Sequence, residues 1–138
     1  MPACGHTSLM TEDTANVIAT VVATYSRRMR LRLATGEEVG ARIKGKRIRA
    51  VCGDSVTAIP IVNEVDWLIT EIGERRNELT RPNMRGQIEV LAANVDALII
   101  VASVTPLPDW YIVDRYLCAA ELMGVLPIIV FNKIDLLE

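Results

Sequence analysis

The chain reads as an all-β, OB-fold-like barrel followed by the first βαβ unit of an α/β domain. Three observations predict this. Between residues 16 and 72, short alternating or β-branched runs are separated by Gly-containing turns. Beyond residue 97, two continuous apolar runs flank a segment of helical period. Between the two patterns lies a polar stretch, 73–86, with Pro82 and no clear period.

Residues 1–14 have no period and are expected to be a disordered tail. Residues 17–24 are β-branched and apolar, which suits a strand. Arg28, Arg30 and Arg32 then alternate with Met29, Leu31 and Leu33, predicting a half-buried strand with a cationic outer face. Ala34-Thr35-Gly36-Glu37 is a turn, and Val39, Ala41 and Ile43 alternate as a hairpin partner should. The run 48–52 leads through Gly53-Asp54 to a strand at 55–59, which Pro60 ends. Residues 67–72 form the last barrel strand, so the barrel is expected over 15–73 and a linker over 74–86. An SH3-like barrel would give nearly the same pattern.

The second part begins at Gln87. Its run 98–104 is apolar throughout, as for a strand buried on both faces of a parallel sheet. Pro106 and Pro108 end it, Asp109 caps a helix running to about Met123, and Gly124 stops that helix. Residues 126–131 are the second strand, which places Asn132 at its carboxyl end, where ligands of open α/β sheets bind. A single βαβ unit is a poor sheet, so much of this apolar surface is expected to be exposed.

Composition narrows the classes. At 51% hydrophobic and 23% charged the chain suits a packed soluble protein, with no apolar run long enough for a membrane span. Cys4, Cys52 and Cys118 are far apart and odd in number, which reads as reduced thiols in a cytoplasm. Cys4-Gly5-His6 offers only two ligands, short of the four a closed metal site needs, so no metal ligand is assigned. The net charge of −2 hides an asymmetry. Nine basic and two acidic residues lie between Arg27 and Arg49, a surplus of seven positive charges, so the remainder carries −9. A basic block within an acidic chain points to a local polyanion site. Arg28, Arg30, Arg32, Arg42, Lys44 and Arg47 are the candidate RNA contacts. Aromatic residues are sparse in the barrel, so phosphate contacts rather than base stacking would dominate. The bland alternative is a solvated strand face.

Asn132-Lys133-Ile134-Asp135 carries the sharpest chemistry. A carboxylate at Asp135 can accept from both N1–H and the 2-amino group of guanine, whereas adenine offers no such donor pair. The Asn132 amide can reach the O6/N7 edge, and the Lys133 stem can lie along the base. A nucleotide site also needs G-x-x-x-x-G-K-[ST] and a Mg2+ ligand. Gly40 and Gly45-Lys46 fit that pattern until its last position, where Arg47 replaces Ser or Thr. With no phosphate loop upstream, the guanine motif comes first, which implies a circularly permuted, truncated P-loop-type GTPase domain over 87–138 and no catalytic residue within this chain.

Several blocks strengthen this reading: Arg76-Asn77-Glu78-Leu79-Thr80-Arg81-Pro82, Ala92-Ala93-Asn94-Val95-Asp96, Asp114-Arg115-Tyr116-Leu117 and Asn132-Lys133-Ile134-Asp135-Leu136-Leu137. Together with the basic barrel, they resemble the ribosome-small-subunit-dependent, circularly permuted GTPases of bacteria. The resemblance implies an OB-fold, then a GTPase domain whose guanine motif precedes its phosphate loop, then a zinc-binding segment beyond Glu138. It implies GTP or GDP with Mg2+ in the intact protein and late maturation of the 30S ribosomal subunit with 16S rRNA as partner. It also implies a cytoplasmic monomer, with Asn132, Lys133 and Asp135 recognising guanine. Two alternatives remain: a non-catalytic RNA-binding OB-fold module with an α/β appendage, or an Asn-Lys-Ile-Asp that merely caps the next helix.

Overall fold

The computed structural model describes residues 15–45 and 49–137; the tail expected at 1–14 and the candidate contact Arg47 lie outside them. The chain divides into two compact units, Met1–Arg49 with Ser55–Gly73, and Ala50–Asp54 with Glu74–Glu138.

The first unit is a closed five-stranded barrel of β1 (Val17–Thr24), β2 (Met29–Leu33), β3 (Glu38–Ile43), β4 (Ser55–Pro60) and β5 (Trp67–Ile72). The strand order is β1-β2-β3-β5-β4 with β4 closing on β1, and only β3 and β5 pair in parallel. This is the OB-fold arrangement. Period-two alternation turns Ala19, Val21, Leu31, Ala41, Val56, Ala58 and Ile69 inward, all buried. Three of these seven are alanines because five strands enclose little space, and small residues let Leu31 and Ile69 fill the centre. Pro60 pairs with Trp67 as the last residue of β4, where its missing N–H ends the ladder.

The second unit contains a strand where a linker was expected. β6 (Glu78–Pro82) lies within 74–86 and pairs antiparallel with β7 (Ile88–Ala93). Four of its five residues are exposed, so no apolar alternation marks it, and Pro82 stands at its end. The 48–52 run forms no strand over its described residues 49–52, contributing only a single bridge from Cys52 to Ala92. Residues 50–54 belong with this second unit rather than with the barrel.

β8 (Ala97–Ser103), α1 (Trp110–Met123) and β9 (Leu126–Asn132) form the expected crossover, with β8 and β9 parallel in register from Ala97↔Leu126 to Ser103↔Asn132. Asp109 caps α1 by accepting from the Tyr111 N–H at 3.0 Å, and Gly124 closes it with φ +69°. Ile100, Ala102, Val113 and Ala120 are buried. The strands are not buried on both faces as their composition suggested: Ile99 and Val101 are exposed, and so is every residue of β9. One helix covers one face, and a second layer would be needed for the other. No described helix is long and apolar enough to cross a membrane.

Candidate functional site

The candidate residues fall in two places, one in each unit. The first is the carboxyl end of β9. There β9 hands over to a 3-10 turn, Ile134–Leu136, through Lys133 in the left-handed region at φ 61°, ψ 34°. The Asn132 Oδ1 accepts the Lys133 N–H at 2.9 Å. That bond occupies the carbonyl oxygen of the amide and leaves its NH₂ as the group that can donate to a ligand. The Val104 N–H donates to the Asn132 backbone oxygen at 3.3 Å, so β8 fixes the backbone from which the motif departs. Asp135 sits inside the short turn and is exposed. Lys133, at the head of the turn, makes no side-chain cap hydrogen bond. Among the described residues its carboxylate takes no hydrogen bond or ion pair, and both oxygens remain available as acceptors.

The second place is the outer face of β2 and β3. Arg30 and Arg32 project opposite the buried Leu31, as the alternation predicts, and Arg42 lies outward beside the buried Ala41. Arg28 precedes the strand and is exposed, as is Lys44. The sequence did not reveal that acids accompany these arginines. Glu38 pairs with Arg32 at 2.9 Å and Arg30 at 3.7 Å, Glu64 with Arg42 at 2.8 Å, and Asp66 with Arg28 at 3.2 Å. Glu38 was readable from hairpin register, since it stands opposite Arg32. Glu64 and Asp66 arrive from a loop more than twenty residues away and leave no local signal.

Sequence reasoning also missed a polar joint in the second unit. Arg75 binds the fully buried Asp54 through Nε to Oδ1 at 2.7 Å and Nη2 to Oδ2 at 2.9 Å, while Oδ2 also accepts the Val51 N–H at 2.8 Å. Two charge-assisted hydrogen bonds hold the guanidinium and raise its pKa further, against the opposing effect of burial. Nearby, the Asn94 side chain donates to the Gly53 oxygen at 2.9 Å and accepts from the Arg76 N–H at 2.8 Å. Asn77 exchanges two hydrogen bonds with the Val95 backbone, at 2.7 and 2.9 Å. Gly53 is needed here because its φ is +91° and a Cβ would lie 1.9 Å from the Ala93 oxygen.

A sequence model of the family described as RsgA GTPase matches residues 72–138. Over those residues the chain belongs to the RsgA GTPase family. The RsgA segment contains Arg75, Arg76, Asn77 and Asn94 of that joint, though not Gly53 or Asp54, and the whole Asn132–Asp135 turn. The chain is similar to proteins named small ribosomal subunit biogenesis GTPase RsgA. It is 44% identical to that of Ectopseudomonas mendocina over 88 residues, 64% of this chain and 25% of the relative. It is 35% identical to that of Neisseria meningitidis serogroup C over 134 residues, 97% of this chain and 43% of the relative, which carries the RsgA similarity into the barrel. In structure it is similar to YloQ, solved as a circularly permuted GTPase, with a TM-score of 0.63, 26% identity and coverage of 90% of this chain and 43% of that one. The chain spans between 25% and 43% of the length of these relatives.

The described residues do not fit a metal site: no group of three His, Cys, Asp or Glu side chains gathers among them. Neither Mg2+ nor zinc is assigned to them.

Proposed function

We propose that this chain supplies the RNA-binding barrel and the guanine-selecting turn of a GTPase that acts in late maturation of the 30S ribosomal subunit, with 16S rRNA as the barrel's partner. The observation that carries the reading is the exposed Asp135 carboxylate just beyond the carboxyl end of β9. There it can take the N1–H and 2-amino donors of guanine while the Asn132 NH₂ donates to O6. The Val104–Asn132 and Asn132–Lys133 bonds hold the backbone from which this turn departs, which supports the reading by fixing the start of the motif.

Phosphoryl transfer depends on positioning and charge stabilisation of the phosphates. The sequence carries no complete G-x-x-x-x-G-K-[ST] run, and no GTP hydrolysis is therefore expected from these 138 residues by themselves. Mg2+ belongs with the phosphates in the intact protein, and zinc with a segment outside this chain. The intact protein is a cytoplasmic monomer that engages the 30S subunit through the arginine face of β2 and β3.

The reading is tested by competition binding of GTP, ITP and ATP to the intact protein. ITP lacks the 2-amino group and ATP lacks both donors. The affinities fall in the order GTP, ITP, ATP; equal affinities for GTP and ATP would sink the assignment of Asp135.

A further inference from the structure

We infer that Arg42 and Arg28 are phosphodiester subsites which the β4–β5 loop fills with its own carboxylates, Glu64 and Asp66, when no RNA is bound. The inference rests on the RNA-binding reading of the barrel and adds to it what competes with the RNA.

The loop spans 61–66 and is closed on itself. The Glu64 N–H donates to the Ile61 oxygen at 3.1 Å, the Ile61 N–H to the Asp66 oxygen at 3.4 Å, and Asn63 takes a left-handed φ of 63°. This turn delivers two acids to the arginine face. Both Glu64 oxygens accept from Arg42 Nη2, at 3.0 and 2.8 Å. The Asp66 Oδ2 lies 3.2 Å from Arg28 Nη2. Residue 40 leaves room for that carboxylate, since a Cβ on Gly40 would lie 2.8 Å from Asp66 Oδ1. Gly40 is also the register partner of Arg30, so Asp66 is seated on the cationic face itself.

A carboxylate presents a guanidinium with what a phosphate presents: paired anionic oxygens that accept N–H donors. The two kinds of ion pair in this chain differ in burial. Asp54 is fully enclosed around Arg75, whereas the side chains of Arg42 and Glu64 are 49% and 43% exposed, and Arg28, 73% exposed, meets an Asp66 that is 17% exposed. Exposed pairs are weak and exchange readily with a competing anion. In an OB-fold the β2–β3 face and the β4–β5 loop are where oligonucleotides bind. The loop acids therefore neutralise two of the face's five described cations, Arg28 and Arg42, holding down indiscriminate polyanion binding. They yield to an RNA whose phosphates reach Arg28 and Arg42 together. Glu64 and Asp66 are specificity determinants by competition.

The test is equilibrium binding of the full chain to 30S subunits and to an unrelated RNA hairpin across a salt series, with folding checked by circular dichroism. Glu64→Gln with Asp66→Asn binds the hairpin about 5- to 10-fold more tightly than the parent at low salt, while Glu37→Gln, the same charge removed from the β2–β3 turn, changes it less than about twofold. Glu64→Gln gives no gain when Arg42→Gln is also present. Should Asp66→Asn disturb the fold, Glu64→Gln alone carries the comparison. An acid variant that binds no more tightly, or a gain matched by Glu37→Gln, overturns the inference and leaves the RNA reading standing. If Arg42→Gln and Arg28→Gln together leave RNA binding unchanged, this inference fails, and the RNA reading fails as well if Arg30→Gln with Arg32→Gln also leaves binding unchanged.

Discussion

The Arg75 guanidinium grips the fully buried Asp54 carboxylate through two parallel hydrogen bonds, 2.7 and 2.9 Å long. Asp54 also accepts the Val51 N–H. An ion pair this enclosed stands or falls as a unit, because removing one partner leaves the other charge desolvated. Asp54→Ala or Arg75→Ala therefore lowers stability by about 3–5 kcal/mol, read as a shift of the urea midpoint. Arg75→Lys loses the fork and keeps the charge, so it falls between the parent and Arg75→Ala.

Gly53 makes the companion prediction. Gly53→Ala must move either its own strained φ or the Ala93 carbonyl, since the added Cβ would overlap that oxygen. The cost is at least about 2 kcal/mol, measurable by the same denaturation series. Gly36→Ala serves as the comparison. It shares a positive φ but meets nothing within 4 Å, so it costs only about 1 kcal/mol.

The arginine face predicts a change in binding without a change in fold. Arg30→Gln with Arg32→Gln alters only outward side chains and keeps Leu31 buried. Thermal stability stays within about 0.5 kcal/mol of the parent. Affinity for 30S subunits falls, and the slope of log K against log salt becomes shallower by up to about two units as two phosphate contacts are lost. An unchanged slope would mark this face as solvated only.

The barrel and the crossover were legible in the sequence because burial imprints itself as period. The alternation of Met29, Leu31 and Leu33 with arginines, the Asp109 cap and the Gly124 stop each have a local cause, and each lies where that cause puts it. β6 was not legible. Four of its five residues are solvent-exposed, so Glu78-Leu79-Thr80-Arg81-Pro82 carries no apolar rhythm, and polarity with a proline looks the same in a strand end as in a linker. Arg75 was hidden for a related reason: an arginine in a polar stretch gives no sign that a buried aspartate twenty-one residues away is waiting for it. The Asn132-Lys133-Ile134-Asp135 run was visible in the sequence and lies at the carboxyl end of β9 as its apolar approach predicts, while the loop acids at Glu64 and Asp66 needed the folded chain to be seen at all.

The most direct test of the central claim is nucleotide binding by the intact protein carrying Asp135→Asn. An amide cannot accept both guanine donors, so GTP affinity falls by about 2–4 kcal/mol. Xanthosine triphosphate, whose 2-oxo group can take a hydrogen bond from the new NH₂, recovers part of the loss in the variant and binds the parent poorly. GTP affinity that is unchanged in Asp135→Asn, with no gain for the xanthosine nucleotide, would contradict guanine recognition by this turn.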